Sequence, residues 1–129
     1  MLSLPASVRI FLARDPVDFR KAFDGLCGII QDEFGDDPFS GHLFLFFNKR
    51  RDRIKILLWD RNGFWLFYKR LERGTFDQYS ESEGGRSAKR IEIDRSTLQL
   101  LLEGIDIRRS CYRKHFARRV DIKRRSETA

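Results

Sequence analysis

Between residues 42 and 71 the chain holds three strand-length segments, 42–48, 53–60 and 64–71, joined by only a few residues each. Connections this short leave no room for a crossover, so consecutive segments must pair as antiparallel neighbours. The turn between the last two reads Asp60-Arg61-Asn62-Gly63, and Asn and Gly tolerate the positive φ of a tight hairpin. A two-residue Asn62-Gly63 turn sets Lys55 opposite Arg70. A three-residue turn with a bulge at Gly63 sets Lys55 opposite Lys69. Either register opposes two cations across the sheet, which is unfavourable unless an anion relieves it. Asp52 and Glu72 are local candidates, and a phosphate backbone is the other, with Trp59, Trp65 and Phe67 as stacking surfaces or as core.

The flanking sequence supplies more strand and two helices. Residues 8–13 (VRIFLA) read as a first strand. Asp15 then stands as N-cap, Pro16 at N1 and Asp18 at N3 of a helix over 16–34. Phe19, Phe23, Leu26 and Ile30 form its apolar face, Arg20 pairs with Asp24, and Gly25 and Gly28 imply close backbone packing on a sheet. Asp36-Asp37-Pro38 ends it. Residues 75–87 read as a polar, mobile loop around Gly84-Gly85. Residues 89–93 alternate as a half-exposed strand does. Ser96 with Gln99 reads as a capping box opening a helix through Leu98, Leu101, Leu102 and Ile105. The expectation is an α+β fold of order β-α-β-β-β-β-α: a small antiparallel meander with two helices on one face. Residues 1–106 form the single domain, and 107–129 a basic tail, helical or disordered.

At 129 residues, with 41% apolar content and twelve Phe, the chain can bury one real core. No apolar run approaches the roughly 20 residues of a bilayer span, and residues 1–7 do not resemble a secretory signal. Cys27 and Cys111 lie far apart, so two free thiols in a reducing compartment, the cytoplasm, are expected. The formal charge of +7 is unevenly placed: residues 1–106 hold 17 basic and 17 acidic side chains, whereas 107–129 hold 9 and 2. A neutral body with a basic tail points to a polyanion, most often nucleic acid, or else to a solvated tail.

Catalysis finds no constellation. His42 and His115 lack a Ser, Cys or carboxylate neighbour at a telling spacing. Asp18 and Asp24 fall on different faces of a helix, and Asp60 belongs to a turn. The expectation is no enzyme, no metal and no cofactor. The basic residues are better organised. Meander topology gathers Lys49, Arg50, Arg51, Arg53, Lys55, Lys69, Arg70 and Arg73 at one end of the sheet. The tail adds Arg108, Arg109, Arg113, Lys114, Arg118 and Arg119, with Tyr112, Phe116 and Val120 as a narrow apolar stripe. These are the candidate nucleic-acid-binding residues.

Several motifs in order complete the reading. They are Arg20-Lys21-Ala22-Phe23-Asp24-Gly25-Leu26, Asp37-Pro38-Phe39-Ser40-Gly41-His42-Leu43-Phe44, Asn48-Lys49-Arg50-Arg51-Asp52-Arg53-Ile54-Lys55, Trp59-Asp60, Gly63-Phe64, Tyr68-Lys69-Arg70-Leu71-Glu72 and Leu101-Leu102-Glu103-Gly104-Ile105-Asp106. Across residues 8–106 the chain resembles the TnpB-type accessory proteins of the IS-sixty-six insertion sequences of bacteria. One departure follows Arg73, where Thr75-Phe76-Asp77-Gln78 replaces a Trp-Pro. The resemblance implies a non-catalytic accessory role in DNA transposition, with DNA and a separate transposase as partners. It supplies no catalytic residue to carry over. A small basic toxin-type ribonuclease and a pure protein-interaction module are the alternatives.

Overall fold

Side chains on a strand point alternately to the two faces of its sheet, and here both faces are apolar. The computed structural model describes residues 5–76, 88–103, 105–106 and 111–112. Strands β1 (Ile10–Ala13), β2 (Leu43–Phe47), β3 (Arg53–Asp60), β4 (Gly63–Arg70) and β5 (Arg90–Ile93) form one sheet of order β4-β3-β2-β1-β5. One parity, including Ile10, Leu45, Phe47, Ile56 and Ile91, packs with Leu98 and Leu101 of helix α2 (Arg95–Glu103). The other, including Phe11, Phe44, Phe46 and Leu57, packs with Leu26 and Ile29 of helix α1 (Phe23–Ile29).

The α+β class and the element order agree with the sequence reading. The helices, however, take opposite faces rather than one. All five residues of β2 are buried, and a strand apolar at every position must be covered on both sides. The sheet is also mixed: β1 runs parallel to β2, pairing Ile10 with Leu43 and Leu12 with Leu45. A connection long enough to hold α1 permits the parallel pairing. The pairs β2–β3, β3–β4 and β1–β5 are antiparallel.

The first helix starts at Phe23, seven residues later than the Pro16 start expected from an Asp15 cap. Tertiary partners claim the intervening backbone. The Val17 amide donates to the Phe47 carbonyl at 2.9 Å. The Lys55 ammonium donates to the carbonyls of Phe19 (2.9 Å) and Lys21 (2.8 Å), which an α-helix would have needed for itself. Asp18 folds a local turn, accepting from the Arg20 amide at 2.9 Å and pairing with its guanidinium at 2.7 Å, so Arg20 pairs with Asp18 and not with Asp24. That guanidinium holds the Asp18 carboxyl down at about 2. A Cβ added at Gly28 would meet nothing, and one at Gly25 would meet only Lys21, so neither glycine marks close packing on the sheet. Beyond Ile29 the helix widens into a π-turn, Ile30–Phe34, and Gly35 closes it at a φ of 70°. Phe34 there stacks on Phe46 at 6.0 Å. Asp36 pairs with Arg90 at 2.5 Å, tying the helix end to β5.

Helix α2 is capped by Asp94, which accepts from the Thr97 amide at 2.8 Å; the Ser96–Gln99 box does not form, and Gln99 donates instead to Glu103. Phe76, read as part of a polar loop, is buried against Phe47 with ring centroids 5.3 Å apart. Residues 77–87 lie outside the described residues. Ile105 and Asp106, read as the end of the second helix and of the domain, form strand β6 (Ile105–Asp106), which pairs with β7 (Cys111–Tyr112). The remainder of the 107–129 tail lies outside the described residues.

Candidate nucleic-acid interface

The β3–β4 register decides where the cations go. All eight residues of each strand pair, from Asp60 with Gly63 to Arg53 with Arg70, so the two-residue turn is Arg61-Asn62 and not Asn62-Gly63. Arg61 takes the left-handed conformation, φ 49°. This register sets Trp59 opposite Phe64, rings 4.9 Å apart, where the two expected registers would have set Phe64 against Arg61 or Asp60. It also sets Lys55 opposite Tyr68. The opposed cations are therefore Arg53 and Arg70, on the α1 side of the sheet.

Lys55 leaves the candidate set. It is 5% exposed, and its ammonium lies 4.8 Å from the Phe19 ring centroid and 5.3 Å from that of Tyr68 while donating to two carbonyls. Rings and carbonyl dipoles replace water around its charge. Arg53 and Arg70 meet solvent. The Arg53 guanidinium donates to the Tyr68 hydroxyl at 3.2 Å, and among the described residues no carboxylate forms an ion pair with it. Arg70 pairs with Glu72 at 2.9 Å, which holds the guanidinium still more firmly charged.

The β2–β3 turn presents two more cations on a rigid base. Asn48 donates to Asp52 at 2.6 Å and accepts from the Arg53 amide at 3.0 Å. The Asn48 amide, aided by the charges of Arg50 and Arg53, keeps the Asp52 carboxyl below the usual carboxylate range. Lys49 and Arg50 are exposed on this turn. Arg51, with φ 59°, instead folds its guanidinium over the Phe47 ring at 4.3 Å. Lys69 points to the other face and donates to the Leu102 carbonyl at 2.8 Å, near the end of α2, where a cation suits the helix dipole. Arg73 is exposed just beyond Glu72. Arg108, Arg109, Arg113, Lys114, Arg118 and Arg119 lie outside the described residues.

Two exposed cations escaped the sequence reading. Phe19 packs edge-on against Tyr68, centroids 5.8 Å apart, so Arg20 and Lys21 of the same loop join the Arg53–Arg70 end. Their backbone had been read as helix, and no local pattern signals that Lys55 holds it open.

The catalytic candidates have other partners. The His42 Nδ1 accepts from the Arg9 amide at 2.9 Å. Asp60 accepts from the Trp65 Nε1 at 3.1 Å. Cys27 is an unbonded thiol whose pKa is pushed up by burial and by Asp24. Among the described residues no three His, Cys, Asp or Glu side chains gather where they could hold a metal ion, and no helix is long and apolar enough to cross a membrane.

Comparison with known proteins places the whole arrangement in a family. An uncharacterised protein of Sinorhizobium fredii, y4jC, is 32% identical over 106 residues, covering 82% of this chain and 86% of its own. A second from the same organism, y4hO, is 35% identical over 108 residues, covering 84% and 90%. No solved structure matches. The profile of the family described as "IS66 Orf2 like protein" matches residues 8–112, spanning both the sheet and the basic turn. The chain belongs to the IS66 Orf2-like family, the accessory proteins of that class of insertion sequence.

Proposed function

We propose that this accessory protein acts without catalysis of its own and holds DNA by its phosphates while the separate transposase performs the chemistry. The observation that carries the reading is the Arg53–Arg70 pair, two solvent-facing cations directly opposed at one end of the sheet. Such a pair costs stability unless an anion lies against it; Glu72 pairs with Arg70 alone, and the Asp52 carboxylate acts on both guanidiniums without an ion pair to either. Lys49, Arg50, Arg20 and Lys21 widen the same end. The partners already held by His42 and Asp60, and the burial that keeps the Cys27 thiol protonated, support the non-catalytic part.

The test is binding of duplex DNA across a salt series. Each cation that neutralises one phosphate contributes about 0.9 to the slope of log affinity against log salt. Replacing Arg50, Arg53 and Arg70 together by Ala should lower that slope by about 2.7 while leaving the circular dichroism unchanged. Magnesium or manganese should not convert binding into cleavage in the same mixture. Absence of binding at low salt would move the function to a protein surface, and metal-dependent cleavage lost on Asp60→Asn would make the chain an enzyme.

A further inference from the structure

Four large apolar side chains remain exposed among the described residues, and three of them share one side of the edge strand β4. Phe23 (42% exposed) lies by Phe64, centroids 6.5 Å apart, and Phe39 (52% exposed) lies by Phe64 and Trp59 at 5.3 and 4.9 Å. Tyr68 (51% exposed) stands further along β4 on the same face, since Phe64, Leu66 and Tyr68 alternate with residues of the opposite face. From Phe64 to Tyr68 the strand advances about 13 Å. The strip ends at Arg53 and Arg70, the first of which bonds the Tyr68 hydroxyl.

We propose that this aromatic strip binds single-stranded DNA, stacking unpaired bases on Tyr68, Phe39 and Phe23 while Arg53 and Arg70 hold the adjoining phosphates. The proposal rests on the DNA-contact reading above and adds the form of DNA selected. In a duplex the base faces are covered by neighbouring bases, so only an unpaired base can lie on an exposed ring. Charge favours an anionic occupant over a neutral or basic protein surface, and the exposed rings favour one that also carries unpaired bases. Of the carboxylates near the strip, Glu72 is paired with Arg70, while Asp52, Asp60 and Asp37 accept from the neutral donors Asn48, Trp65 and the Phe39 amide. The cations gather at the Tyr68 end of the strip, where Arg53 bonds the Tyr68 hydroxyl and Arg70 stands opposite Arg53, as a strand with its bases on the rings and its backbone beside them requires. Tyr68 is also pre-positioned, with Phe19 against its edge and the Lys55 ammonium beside its ring.

Fluorescence anisotropy of the full-length chain with a labelled oligothymidine, and with a blunt duplex of the same length at the same salt, tests this. The oligothymidine should bind more tightly. Tyr68→Ala should weaken its binding about tenfold, and Tyr68→Phe should retain affinity within about twofold, because stacking needs the ring and not the hydroxyl. Neither change should alter the salt slope of duplex binding, because both leave the charges of Arg53 and Arg70 in place. Phe39→Ala, at the opposite end of the strip and off the sheet, should also weaken oligothymidine binding, and it decides the matter if Tyr68→Ala does not fold. Equal affinity for the two DNAs, or oligothymidine binding indifferent to the aromatic substitutions, overturns the stacking surface and leaves the phosphate contact standing. Failure to bind either DNA overturns both readings and gives the strip to a protein partner.

Discussion

Lys55 sits where β3 passes beneath residues 17–22, and its ammonium supplies the donors that the Phe19 and Lys21 carbonyls would otherwise lack. Lys55→Met keeps much of the volume and removes the donors, so the loop should lose its anchor. An orphaned buried polar group costs about 1–3 kcal/mol, and a loss in that range is expected in urea unfolding. An unchanged midpoint would show that water replaces the ammonium without cost. The chemical identity of Lys55 as a cation was legible in the sequence, but its destination was not. Alternation places it on the same face as Leu57, and a lysine there is outward by default. Only the register, which sets Tyr68 opposite, and the return of Phe19 over that point convert it to an interior group. Arg51 shows the same limit, since the turn at Asn48 and the backbone of Phe76 together hold its cation on the Phe47 ring.

Strand β3 was readable to its last residue, since Arg53–Asp60 is bounded by turn residues and rich in β-formers. The turn after it was readable as a turn and misread in position. Asn62-Gly63 is the better local sequence, yet pairing Trp59 with Phe64 outweighs it and leaves Arg61 at a φ of 49°. A non-glycine residue in that region carries a cost of order 1 kcal/mol. Arg61→Gly should therefore leave stability unchanged or raise it by up to about 1 kcal/mol, measured by thermal or urea unfolding. A clear destabilisation would mean that the Arg61 side chain makes a contact worth more than the strain. The first helix was misread for the opposite reason. Asp15-Pro16 is a good local start, but Phe47 and Lys55 compete for the backbone it would have organised.

For the molecule as a whole, the α+β class and the β2–β3–β4 meander followed from turn spacing, while the parallel seat of β1, the place of β5 and the distribution of helices over two faces did not. Apolar runs such as Leu43–Phe47 state that both sides are covered, and they do not say by which helix. The charge division was legible at once: a neutral body over 1–106 and nine basic residues against two acidic beyond it. Deleting residues 107–129 should consequently lower the salt slope of duplex binding by about 4.5 if the tail neutralises about five phosphates. The Arg50–Arg53–Arg70 triple substitution should act on top of that loss, because its cations sit on the body. A deletion that leaves the slope intact would place all the phosphate contacts on the sheet end.

Strand β1 lies between β2 and β5, pairing Ile10 with Leu43 on one side and Ile93 on the other. Its two neighbours arrive at very different times along a chain emerging from the ribosome. The β2–β3–β4 meander needs only local contacts and can close by itself, in the microsecond range for each hairpin. The seat for β5 exists only after β1 has docked, and the pairing of Ile10 with Ile93 closes a loop that spans most of the domain. Long-range pairing of that kind slows folding. During that interval the side of β2 and β3 that α2 will cover, with Phe47, Ile54 and Ile56, lies open, and transiently exposed apolar surface of this kind is what makes a folding chain prone to aggregate.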